Sequence, residues 1–248
     1  MPVWVEAGLW GLAAGAALML GAAVAWFVRV PQKVVAGVMA FGAGVLISAL
    51  AFDLVDDAER TGGLAVTAAG FLGGAVAYVA ANVALARHGA RHRKRSGDQQ
   101  PGADDAGSGA AIAVGALLDG VPESVVLGLS LLGGGGVGVP VLAAIAVSNL
   151  PEGLSSAAGM KRGGRSARYV FGVWGGIALA SGVAAALGAL LLEGASGAVV
   201  AAITAVAAGA ILAMVADTMI PEAFERTHLY AGLLATVGFL LSFAIERL

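Results

Sequence analysis

The chain contains no cysteine, only three histidines, and few charges: 12% of its 248 residues are Asp, Glu, Lys or Arg. Without cysteine, disulfides, thiolate metal sites and thiol catalysis are all excluded. A phosphate-binding loop is also missing. The glycine run from Gly133 to Gly136 lacks the Gly-Lys-Ser/Thr ending such a loop requires, so it reads as an external turn, and no nucleotide site argues for a primary pump. The opening stretch, MPVWVEAGLW, carries an acid but no basic residue ahead of its apolar run. It therefore lacks the positive n-region of a cleaved signal peptide and reads as a retained first span.

Apolar sequence is what the chain has in quantity. Hydrophobic residues make up 59% of it and the mean hydropathy is +0.90, values of an integral membrane protein rather than a soluble core. The 39 glycines are spread through the apolar segments, as in helices that approach closely through small-residue faces. The expected fold class is all-α: a polytopic membrane protein with eight transmembrane helices. Segments long enough to cross a hydrocarbon core fall at about 5–28, 34–55, 64–86, 110–132, 137–159, 168–192, 197–219 and 228–245. Orientation follows from the positive-inside rule. Arg29, Lys33, Arg87, Arg91, Arg93, Lys94, Arg95, Lys161, Arg162, Arg165, Arg168 and Arg226 share one face, leaving only Arg60 and Arg247 on the other. The first face is expected to be cytoplasmic, with both termini outside a plasma (inner) membrane.

The segment 90–109 is polar and Gly-rich with mixed charge, and reads as a disordered cytoplasmic loop dividing three spans from five. Two stretches resemble each other: AGVLISALAFDLVDDAER from Ala43 and AGAILAMVADTMIPEAFER from Ala208. Spans two and seven run in opposite directions, so a true repeat would be inverted in topology, a common transporter arrangement.

The residues that carry chemistry lie in spans four and five. LLDGVPES from Leu117 and VSNLPEG from Val147 each put a proline and a carboxylate inside an apolar helix. A mid-membrane ionisable residue costs on the order of 3 kcal/mol on insertion scales. Asp119, Glu123 and Glu152 therefore need a compensating partner, and no lysine, arginine or histidine lies in the interior of a span to supply one, Arg168 and His228 standing at span ends. Asp119 and Glu123 are four apart and share a helix face, as do Ser148 and Glu152, with Asn149 on the border. Pro122 and Pro151 leave the carbonyls of Leu118 and Val147 without a helical donor. Two such bent helices facing each other make an oxygen-rich cleft suited to a divalent cation. The plainer alternatives are buried carboxylates kept for structure and, for Ser124, Ser148 and Asn149, interhelical hydrogen bonds. Asp53 and Asp217 near span ends, the Asp56, Asp57 and Glu59 group, and His88 and His92 all read first as solvated or interfacial residues.

These two segments resemble spans four and five of the ZIP family of divalent metal transporters, whose pattern in each is His-Asn-x-Pro-Glu-Gly. Glu123 and Glu152 match the family's metal-bridging glutamates, Pro122 and Pro151 its prolines, and Asn149 its asparagine; IPEA at Ile220 to Ala223 after span seven is also similar. The resemblance implies a 3+2+3 arrangement with an inverted repeat of spans 1–3 and 6–8. It also implies secondary transport of a divalent ion (zinc, manganese, iron or cadmium) into the cytoplasm. On this reading Glu123 and Glu152 bridge the metal, Asp119 and Asn149 complete its shell, and Ser148 assists. The departures are Asp119 and Ser148 in place of histidines, Gly120 for the first asparagine, Ser124 for a glycine, and Ser181 where many relatives carry a span-six glutamate. An all-oxygen shell does not favour zinc as imidazole does. The expected partners are divalent metal ions and the lipid bilayer, with a homodimer left open and no nucleic acid. The chain is not expected to be an enzyme or to hold a prosthetic cofactor. A proton-linked carrier of an organic substrate and a non-transporting metal-binding relative are the competing functions. An intramembrane aspartyl hydrolase fits less well, because Asp119 lacks the flanking Gly-x of that motif.

Overall fold

The computed structural model describes residues 1–88, 90–105, 108–132 and 139–247; the Gly133–Gly136 turn lies outside them. Among the described residues the chain is helical, without a strand. Helix α1 spans Val3–Phe27 and α2 spans Gln32–Ala49, passing through a π-helical turn at Leu50–Leu54 into α3, Val55–Ala86. After a single 3-10 turn at Ala90–His92 come α4 (Ser108–Ser130), α5 (Val139–Arg162), α6 (Ala167–Leu192) and α7 (Gly197–Met214). A second π-helical turn at Val215–Met219 leads into α8, Ile220–Thr227, and α9, Leu229–Glu246, ends the chain.

Among the described residues, seven helices are long and apolar enough to cross a membrane: Val3–Phe27, Gln32–Ala86, Gly109–Ser130, Val141–Arg162, Ala167–Leu192, Gly197–Thr227 and Leu229–Glu246. Expected spans two and three both fall in the run of 55 residues from Gln32 to Ala86. That run is broken at Gly63, whose φ of 78° and ψ of 163° are not helical. A positive φ is strained for residues with a Cβ, which explains glycine at the break.

Small residues set how the helices meet. The most extensive packing is α3 on α7, α1 on α6 and on α5, and α2 on α9. Two of these interfaces are built alike. In one, Gly44 of α2 lies against the carbonyl of Ala235 while Gly238 of α9 lies against that of Phe41. In the other, Gly209 of α7 lies against the carbonyl of Phe71 while Gly74 of α3 lies against that of Val206. A Cβ at any of these four glycines would overlap a backbone oxygen, so the helix axes could not approach as they do.

An apolar layer closes one end of the bundle. Leu46, Leu50, Leu54, Val126, Val141, Ile145 and Ile211 share one buried cluster. Beyond it opens a cavity of about 960 Å³, lined among others by Asp53, Asp56, Asp57, Arg60, Glu193 and Glu246. At the opposite end of α3 lies a second cavity of about 340 Å³, bounded by Asn82, Arg91, His92, Lys94, Asp217 and Thr218.

Candidate cation site

Helices α4 and α5 run unbroken through Pro122 and Pro151, and they bury Asp119, Glu123 and Glu152, each no more than 4% exposed. The expectation that no basic residue reaches them does not hold. Arg93 and Lys94, which follow the Ala90–His92 turn, enter the bundle and are only 1% and 4% exposed.

Arg93 and Asp119 form a two-point pair. Arg93 Nε donates to Asp119 Oδ2 at 2.8 Å and Nη2 to Oδ1 at 2.7 Å. Arg93 Nη2 also donates to the Tyr78 hydroxyl, which itself donates to Asp119 Oδ1 at 2.7 Å. Arg93 Nη1 reaches Asn82 Oδ1 and the carbonyl of Ala90. All five guanidinium donors are thus used, the condition under which a buried arginine is tolerated. Burial alone would pull the Arg93 guanidinium down, but the Asp119 charge and hydrogen bonds hold it above its ordinary value, so it stays cationic. Gly115 makes room for it: a Cβ there would strike Arg93 Cδ.

Lys94 is held differently. Its Nζ lies 2.7 Å from Glu152 Oε1 and 3.5 Å from Asp119 Oδ2. Neither Lys94 Nζ nor Glu152 Oε1 has an aligned hydrogen-bond partner, so the 2.7 Å contact is an ion pair with poor angles. Two cations against three carboxylates leave Glu123 as the odd charge. Its buried Oε1 has no hydrogen-bond partner, and the charges acting on it are those of Glu152, Lys94 and Asp119.

Other expected ligands are turned to packing. Ser148 Oγ donates to the carbonyl of Ile145 on its own helix, and Asn149 Nδ2 donates to the carbonyl of Ala14 on α1. Ser124 Oγ donates to the carbonyl of Gly120, and Ser181 is buried in α6. Among the described residues no group of three or more His, Asp or Glu side chains converges as a metal site. Arg93 contacts Asp119, and Lys94 Nζ lies between Asp119 and Glu152. His88 and His92 each face a backbone carbonyl, those of Ala84 and Gln99. Asp56 pairs with Arg60 at the surface.

The segment read from sequence as a disordered loop packs into the helices over its described part. Ser155 Oγ donates to the carbonyl of Lys94. The Ser96 backbone N–H and hydroxyl donate to buried Glu222 Oε1, which Ser155 Oγ approaches at 3.1 Å. Gln100 Nε2 bridges the carbonyls of Arg93, Arg95 and Ser156. Gln32 Nε2 reaches the carbonyl of Ser96, and Ala103 N–H that of Gly163. Arg95 pairs with Glu225 and Glu222. The chain crosses α5 at Gly159, where a Cβ would overlap the carbonyl of Arg95. Ser155 and Ser156 were not singled out in the sequence, and Glu222 entered only as part of the IPEA stretch, without a partner. The visible signal was a third Pro-Glu pair and two serines one turn beyond Glu152.

No protein-family model matches the chain, and no curated protein matches it.

Proposed function

We propose that the protein is a secondary transporter that carries a divalent metal ion across the plasma membrane into the cytoplasm, using Asp119, Glu123 and Glu152 as its ion seat. One observation carries this reading: Glu123 is buried beside two other carboxylates, yet among the described residues it makes no ion pair and leaves Oε1 without a hydrogen bond. A carboxylate kept there at a cost of several kcal/mol calls for an exogenous cation. The motif resemblance and the oxygen-only donor set agree with a divalent ion, and leave zinc, manganese, iron and cadmium as candidates.

Eight spans remain the preferred topology. A helix of 55 residues would be about 80 Å long at 1.5 Å per residue, against a hydrocarbon core of about 30 Å. The break at Gly63 supports reading that run as two crossings. The like-built glycine contacts support an inverted repeat of spans 1–3 and 6–8: exchanging α2 for α7 and α3 for α9 turns one contact into the other. The two π-helical turns, which carry Asp53 and Asp217, fall at matching places in that exchange.

The test is uptake into proteoliposomes with zinc, manganese, iron, cadmium and magnesium in competition. Saturable uptake of at least one ion that is lost in Glu123→Gln supports the reading. A pH-driven proton flux with no metal uptake favours the proton-linked carrier instead, since an unpaired buried carboxyl also suits proton transfer.

A further inference from the structure

The two basic residues that enter the carboxylate cluster are not equivalent. Arg93 satisfies every donor it has and shares two of Asp119's oxygens. Lys94 satisfies none with an aligned bond, although its ammonium group is buried and 2.7 Å from Glu152. A compact point charge held at 2.7 Å in poorly aligned contact exchanges more readily for another cation than a bidentate guanidinium does. Lys94 also forms part of the wall of the 340 Å³ cavity. It therefore stands between open space on one side and Glu152 on the other.

We infer that Lys94 is a tethered competitor of the transported ion: its ammonium group holds the position between Glu152 and Asp119 that a divalent cation takes. Ion binding then requires residues 94–100 to withdraw. This inference rests on the transport reading above. Arg93 stays with Asp119 and fixes one wall of the seat, while Lys94 leaves with the segment that Ser155, Glu222 and Gln100 hold against α5 and α8. A divalent ion gains on the ammonium twice over. It carries two charges, and it accepts lone pairs from Glu123 and Glu152 together, so it neutralises the carboxylate that Lys94 leaves unpaired. Carboxylates in this seat that find no such ion fall back on Lys94. That explains how three acids can be buried without permanent occupancy by metal.

The full chain in detergent allows a direct test, because it contains no native thiol. Gly97 is buried, and a Cβ there meets nothing closer than 3.4 Å, so Gly97→Cys reports on the segment without disturbing it. Adding zinc or manganese chloride should raise its rate of labelling by a maleimide about fivefold or more, as the withdrawn form becomes the major one. Lys94→Met in that background should raise labelling without metal and lower the half-saturating metal concentration by about tenfold. Lys94→Arg, which keeps the cation, should restore slow labelling. Gly159→Ala covers the case in which Lys94→Met does not fold. Its Cβ overlaps the Arg95 carbonyl, so it displaces the segment with every charge in place and should shift labelling and affinity the same way. Unchanged labelling and unchanged or weaker metal affinity in the folded variants would overturn the inference. If the native protein binds metal tightly while Gly97→Cys labelling stays constant, the competitor role fails and the transport reading stands. If neither the native chain nor any variant binds metal, both fail.

Discussion

Arg93 and Asp119 share two parallel hydrogen bonds, at 2.8 and 2.7 Å, in the buried interior of the helix bundle. The pair ties the segment after α3 to the middle of α4, and it fixes what substitutions there should do.

Arg93→Ala leaves Asp119 buried with Tyr78 and Lys94 only. Such a change should cost about 3–5 kcal/mol, because the charge left behind is uncompensated. Arg93→Met combined with Asp119→Leu should recover most of that loss. Unfolding midpoints of the two variants in detergent, compared with the native chain, give the answer; equal losses in both would mean that the pair is not the source.

Glu123→Gln should behave in the opposite way. It removes a charge with no ion pair, so the fold should be as stable as before or slightly more so, while metal uptake falls by about tenfold or more through loss of a ligand. Glu152→Gln should also reduce uptake but, in addition, free Lys94. The two variants are separated by measuring thermal midpoint and uptake on the same preparations. Normal uptake by both would place the seat elsewhere.

Topology is open to thiol labelling in intact cells. Asp98→Cys sits on a side chain that is 91% exposed and should react only from the cytoplasmic face. Ala195→Cys, between α6 and α7, should react from outside. Reaction of both from one face would remove the eight-span assignment and the direction of transport with it.

Gly44→Ala and Gly209→Ala probe the like-built contacts. Each places a methyl group on a facing carbonyl, and each should cost about 1–3 kcal/mol, the range for overpacking a close contact. Similar losses are expected because the two interfaces share a geometry. A large loss in one with none in the other would show that the resemblance between them carries no common energetics.

Much of the architecture was legible because hydropathy and helix length are local properties. Both π-helical turns sit inside the repeated stretches that begin at Ala43 and Ala208. Asp119, Glu123 and Glu152 were legible too, since an acid in an apolar helix stands out against its neighbours. Arg93 and Lys94 were not. Basic residues after a span are the usual topology signal, and a polar, Gly-rich stretch usually stays in water. Nothing local distinguishes these two from Arg91 beside them, which is exposed. What would have found them is a charge balance taken over the whole interior: three acids demand cations, and the nearest unassigned ones follow α3. Gly115 and Gly159 mark where those side chains and their backbone pass, but a glycine among 39 carries no such message in the sequence alone. The hydrogen bond of Asn149 to α1 was not legible either. Its amide meets the Ala14 carbonyl because α1 packs closely at that level of α5.

Gly159 bears on how the protein meets changing surroundings. Because α5 is bare of side chain there, Arg95 and Lys94 can lie close to it, and Lys94 belongs to the same molecule as the acids it faces. A free ion can be diluted, chelated or exported; an ammonium group on a short span of backbone keeps a fixed effective concentration, in the millimolar range for short flexible connections. If Lys94 competes with a transported ion as proposed, the level of metal at which the seat changes hands is set by the length and grip of the segment joining α3 to α4, and not by the abundance of the protein.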